Sequence, residues 1–202
     1  MQAAPSFRDL TLAQFAERLA SPDPVPGGGS ASAVAASLAA SLVAMVATLS
    51  QGRAKYADHA ALHEHTAPVA RRYSDEFLAL ADEDAEAYAA CAIALKLPRE
   101  AFADKELRDR QVRETARVAA EVPLRVVEKC HDVLLLAEAL AGRSNVNASS
   151  DLRVAALLLQ AAGHGAAENV LVKRDVVCVL GPALREGRDH RNEGRGERRR
   201  DG

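Results

Sequence analysis

From Ser30 to Ser50 the chain carries no charged residue, and most of that stretch is alanine and serine. As a helix it would be about 30 Å long, a length that also crosses a bilayer. Its larger residues, Val34, Leu38, Leu42, Met45 and Leu49, fall on one stripe. A lipid-facing helix is bulky all round, whereas a stripe beside a smooth Ala/Ser face suits a central helix enclosed by other helices. The expectation is a soluble bundle built around this segment, with no membrane partner. Alanine supplies 43 residues and leucine 24, aromatics are 3% and Trp is absent. Small, unbranched side chains favour helix. No run alternates β-branched or aromatic residues with polar ones at period two, as a sheet would need. These features predict an all-α, single-domain helical bundle with a long central small-residue helix.

Charge and cysteines narrow the function classes. The balance of 26 Lys+Arg against 28 Asp+Glu gives a net charge of -2, so no positive field exists to hold nucleic acid. The basic cluster RDHRNEGRGERRRDG after Leu184 is interleaved with acids. It reads as a charged, disordered tail over 185–202 following a domain over 1–184, and a nucleic-acid arm is the weaker reading. Cys91, Cys130 and Cys178 are odd in number and far apart, which suits reduced, packed thiols. Met1 to Asp9 lacks a basic segment followed by an apolar one, so the expected compartment is cytoplasmic.

Punctuation residues place the elements. Thr11 and Gln14 have capping-box spacing at the start of a helix whose buried side would carry Leu12, Phe15, Ala16 and Leu19. SPDPVPGGG breaks it, Ser30 opens the small-residue helix and Gly52 ends that one. A helix over 57–97 turns Leu62, Val69, Tyr73, Phe77, Leu80 and Tyr88 inward, with Pro68 as a kink or true start. A charged helix over 104–121 follows, Pro123 resets the chain for a second one, and Gly142 stops that. Ser149 or Ser150 caps a last helix to about Val172.

Several clusters could carry chemistry, each with a plain structural alternative. Gly27, Gly28, Gly29 and Ser30 let a ligand approach the backbone beside the anion-attracting N–H groups of a helix start, although glycine and proline commonly serve only as a loop. In DEDAEAY, Asp84 shares a face with Phe77, Leu80, Tyr88 and Cys91, so one carboxylate points inward; the alternative is a solvated acidic face. Asn145, Asn147, Ser149, Ser150 and Asp151 concentrate hydrogen-bonding groups that capping alone would explain. Asn169 lies among Ala166, Ala167 and Val170 and needs a partner. His59, His63 and His65 read as surface histidines, no metal site is expected, and no GxSxG supports a serine hydrolase.

Three separated pieces agree with one family: VPGGGSASAVAASLAASLVAMVATLSQGRAKY, DEDAEAYAACAIALKLPRE, and EVPLRVVEKC through SNVNASSDLRVAALLLQAAGHGAAENV. Together they resemble the cyclodeaminase domain of formiminotransferase-cyclodeaminase and the stand-alone methenyltetrahydrofolate cyclohydrolases of the same superfamily. The resemblance implies an all-α homodimer that binds tetrahydrofolate, with or without a polyglutamate tail, in a cleft near the subunit interface. It implies an aspartate, here Asp84, acting on the one-carbon unit, with no cofactor beyond the folate that carries it. By motif position the glycine run falls on Gly27, Gly28, Gly29 and Ser30, a basic-aromatic pair on Lys55 and Tyr56, and an Asn/Asp connection on Asn147 and Asp151. Asn169 matches the first of two asparagines four residues apart, and the second place here is Lys173. Family members also continue with a long C-terminal helix where this chain has its arginine-rich tail. Both departures motivate a competing reading, a non-catalytic helical dimer or folate-binding scaffold.

Overall fold

The structure, a computed structural model, describes residues 6–96 and 105–180. Helix α1 covers Leu12–Leu19, α2 Gly28–Ser50, α3 Ala60–Lys96, α4 Lys105–Leu140 and α5 Ser149–Leu180; short 3-10 turns lie at Phe7–Asp9, Ala54–His59 and Val146–Ala148. Among the described residues there is no strand. The four long helices run alternately up and down. Ser30 meets Ala81 while Gln51 meets His63, so α2 and α3 are antiparallel. Tyr73 donates to Asp132, and Lys129 pairs with Glu76 at 2.5 Å, which sets α4 against α3 in the same way. Gly28 faces Asn169 at one end of α2 and Ser50 meets Asn145 at the other, so α5 returns antiparallel to α2 and closes the bundle.

The small residues of α2 explain how the helices approach. Ala33, Ala36, Ala39, Ala40, Ala44 and Ala47 are buried and form the core with Phe77 and Ala81 of α3, Val126 and Val133 of α4, and Ala155, Leu159 and Ala162 of α5. Interaxial distance depends on the side chains at the contact, and alanine keeps it short. Where α5 crosses α2, a β-carbon on Gly165 would lie 2.6 Å from Ser32 Oγ. Gly52 and Gly142 take φ of +67° and +73°, left-handed conformations that end α2 and α4 and suit glycine.

Several expectations hold and several need correction. Thr11 caps α1 with the reciprocal Gln14 bond, and α5 opens at Ser149, running on to Leu180. Cys91 and Cys130 are buried free thiols. The stripe on α2 faces outward rather than into an enclosing bundle: Leu38, Met45 and Leu49 are exposed, and the alanine face is the one that packs. In α1, Leu12 and Leu19 are exposed, since the short helix lies outside the four-helix core. Tyr88 is also exposed because α2 begins opposite Asp84, leaving the next turns of α3 without that neighbour; Cys91 packs with Ala116 and Ala119 of α4 instead. Pro123 starts no new helix. It lies buried inside a continuous α4, where burial of Val122 and Val126 on the core outweighs one lost backbone bond. Pro68 likewise lies within α3. Helix α2 remains long and apolar enough to cross a membrane, and half of its most apolar window is buried inside the bundle. The expected tail over 185–202 and the surroundings of Cys178 lie outside the described residues.

Candidate active site

Successive residues of a helix point about 100° apart, so the three adjacent acids of α3 diverge. Asp82 accepts hydrogen bonds from Ser6 Oγ at 2.5 Å and from the Phe7 N–H at 2.8 Å, tying the turn before α1 to the bundle. Glu83 reaches across the surface to Arg125 of α4. Asp84 alone turns inward and is 6% exposed.

What admits Asp84 is the backbone of Gly29. A β-carbon at position 29 would fall 2.6 Å from the Asp84 carboxylate carbon and 2.6 Å from Oδ1, and closer still to Oδ2. Only glycine leaves that volume to the acid. The Ser30 hydroxyl, with a single proton to donate, lies 3.1 Å from the Ala81 carbonyl oxygen and 3.3 Å from Asp84 Oδ2. Gly27 gives α2 no side-chain cap, so the N–H groups of its first turn lack the usual partner beside this acid. From α5, Asn169 donates to the Gly165 carbonyl oxygen at 2.9 Å, and its amide nitrogen would be 3.4 Å from a β-carbon on Gly28.

One turn further along α5, Lys173 places Nζ 2.6 Å from Asp84 Oδ1. Both side chains are about nine-tenths buried, so this is an interior ion pair joining α3 to α5 across the start of α2. Sequence reasoning treated position 173 as a departure from a family motif and assigned it no role. The available signal was its four-residue spacing from Asn169, which puts both on one helix face.

The other expected site residues lie elsewhere. Gly27, Gly28, Gly29, Ser30, Asp84 and Asn169 gather at one end of the bundle; Lys55, Tyr56, Asn147 and Asp151 gather at the other, about 35 Å away along α2. Within one chain the expected site residues therefore fall in two regions. At the second, Tyr56 is buried and its hydroxyl accepts from the Val146 N–H at 3.1 Å, while exposed Lys55 lies 5.6 Å from the Tyr56 ring centre. Both residues line a pocket of about 440 Å³ with Asn145, Ser149 and Arg153. Asn147 is exposed, and Asp151 lies half-buried in the first turn of α5. His63, expected at the surface, is fully buried beneath Tyr56. Its Nε2 donates to the Arg143 carbonyl oxygen at 2.9 Å, which assigns the proton to that nitrogen. Among the described residues no group of three His, Cys, Asp or Glu side chains is placed to hold a metal ion.

Known proteins resemble the chain in sequence and in fold. The chain is 34% identical over 162 residues to the methenyltetrahydrofolate cyclohydrolase of Methylorubrum extorquens, covering 80% of this chain and 78% of that protein. It is 33% identical over 167 residues to the formimidoyltransferase-cyclodeaminase of Rattus norvegicus, and spans 31% of that longer protein. Among solved structures, the formiminotetrahydrofolate cyclodeaminase of Thermotoga maritima superposes with a TM-score of 0.76 at 24% identity, covering 92% of this chain and 90% of that one, a likeness of fold. The profile of the formiminotransferase-cyclodeaminase family matches residues 11–173, a span that includes the glycine run, Asp84, Asn169 and Lys173, and the chain belongs to that family.

Proposed function

We propose that this protein is a folate one-carbon enzyme acting at the carbon that bridges N5 and N10 of tetrahydrofolate, as a methenyltetrahydrofolate cyclohydrolase or a formiminotetrahydrofolate cyclodeaminase. The observation that carries the proposal is a single buried carboxylate, Asp84, held against the backbone of Gly29 at an uncapped helix start. Relatives named for each of the two activities support it.

Both reactions present an amidinium carbon to a nucleophile. In the hydrolase direction water attacks the methenyl bridge. Its oxygen bonds to carbon as one proton passes to Asp84, and the C–N5 bond breaks as Asp84 hands that proton to N5 and the new hydroxyl loses its own to solvent, giving the 10-formyl compound. In the deaminase direction N10 attacks the formimino carbon and ammonia leaves with the proton that Asp84 returns. A carboxylate serves each step: it stabilises the cation, accepts the proton of the nucleophile and hands one to the leaving nitrogen. These steps call for proton transfer alone. Asp84→Asn is expected to slow the absorbance change of methenyltetrahydrofolate by orders of magnitude while leaving the helical spectrum intact. Wild-type turnover in that variant would remove Asp84 from the mechanism, and folate binding without turnover by the wild-type chain would favour a scaffold. Ammonia release from formiminotetrahydrofolate separates the two activities.

The working unit in this reading is a homodimer. Val34, Leu38, Ser41, Met45 and Thr48 repeat every three and four residues along the outer face of α2, flanked by Leu42 and Leu49, and none is charged. A second copy packed antiparallel on that seam covers it and brings the Lys55 end of one protomer to the Asp84 end of the other. One folate then has its one-carbon unit at Asp84 and its anionic glutamate tail at the partner's Lys55. Leu38→Arg with Met45→Arg is expected to give monomers by light scattering; an unchanged mass would place the interface elsewhere.

A further inference from the structure

Lys173 puts a positive charge where the reading above puts a cationic substrate. Its Nζ is 2.6 Å from Asp84 Oδ1, and the paired side chains are 10% and 8% exposed, so water screens them little. Gly29 and Ser30 close the other side of the carboxylate. With the ammonium in place, the acid arrives already neutralised, and a bridged folate bearing a positive amidinium meets a charge of its own sign beside the counter-ion it needs.

Resting on the folate reading, we infer that Lys173 sets the charge preference of this site. It competes with the cationic one-carbon unit for Asp84, weakens ground-state binding of the bridged or iminium form, and favours folates whose one-carbon unit is neutral. As the nucleophile's oxygen or nitrogen bonds to the amidinium carbon, the π pair moves onto nitrogen and the nucleophile's proton goes to Asp84. The carbon loses its positive charge and Lys173 loses its counter-ion in the same step, so the repulsion relieved is offset by the ion pair given up. The effect of Lys173 is therefore read in the binding of the cation, through KM against the Ki of a neutral folate.

Steady-state kinetics on the full chain test this, with cationic methenyltetrahydrofolate as substrate and 5-formyltetrahydrofolate, neutral at its one-carbon unit, as competitive inhibitor. Two like charges about 5 Å apart in a partly screened site repel strongly enough that Lys173→Asn is expected to lower KM for the cation about tenfold. Ki for the neutral folate stays close to wild type. Lys173→Arg, which keeps the charge, retains the wild-type ratio of KM to Ki. Equal shifts in KM and Ki for Lys173→Asn, an unchanged or raised KM, or the same change in Lys173→Arg would overturn the inference. Should Lys173→Asn fail to fold, the longer Lys173→Gln takes its place. The wild-type chain supplies a further measurement, in which Ki for the neutral folate must lie below KM for the cation. A wild-type chain that turns over neither one-carbon substrate defeats the enzyme reading itself, whereas turnover with an insensitive ratio defeats only the role of Lys173.

Discussion

The two ends of α2 bury polar groups by different means. At the Gly29 end the buried groups are charged, a carboxylate and an ammonium seated against a backbone without side chains. At the Ser50 end they are neutral and tied to one another: Ser50 Oγ accepts from the Asn145 N–H at 2.8 Å and donates to the Val46 carbonyl oxygen at 2.9 Å, Tyr56 holds Val146, and the Gln51 side chain donates to the His63 carbonyl oxygen at 3.1 Å. Neutral hydrogen bonds stabilise a corner at little cost. Buried charges are expensive even when paired, and a fold retains them more readily where they serve something besides stability.

The largest effect that separates the two ends is chemical. Asp84→Asn is expected to lower turnover by about 10²–10⁴, the usual scale for losing a general acid or base, as read by the methenyl chromophore. Gly29→Ala comes next. Its methyl group displaces Asp84, so activity falls, and the overpacked contact lowers stability by about 1–3 kcal/mol in urea titration. At the opposite end Ser50→Ala leaves the Asn145 N–H without its acceptor and costs about 1–3 kcal/mol, with kcat at the wild-type value. A drop in kcat there would erase the contrast between the two regions.

The smallest effect concerns the core midway between them. Burial pushes the Cys130 thiol up from its ordinary 9.0 to about 12. The unfolded chain loses that proton above pH 9 while the folded chain keeps it until about pH 12. This contribution to stability is therefore complete below pH 9 and declines between pH 9 and 12. A thiol reagent at pH 8 should leave Cys130 unmodified until denaturant is added; rapid labelling of the native protein would contradict the packing described.

The sequence made the helical class legible because alanine-rich periodicity is a local signal, and the capping box at Thr11 and the glycines at 52 and 142 are local too. Asp84 was legible as inward because it shares a face with Phe77 and Leu80, both buried. The same argument failed four residues later at Tyr88, since spacing reveals a face and not whether a neighbouring helix extends far enough to cover it. Leu12 and Leu19 failed for that reason as well. Which side of α2 packs depended on the competition between close approach through alanine and burial of bulk, and a stripe alone does not decide it. The role of Lys173 was illegible because its partner lies 89 positions away, and only the antiparallel return of α5 brings them together. His63 was misread because a histidine pair at helical spacing looks alike whether it faces solvent or, as here, a backbone carbonyl.

The contact at Gly29 also governs how this chain can drift over generations. Every single-base change in a glycine codon that specifies another amino acid introduces a β-carbon, and Asp84 already fills that volume. Positions 29 and 84 are therefore locked as a pair: a lineage that lets the first vary must give up or relocate the acid at the second.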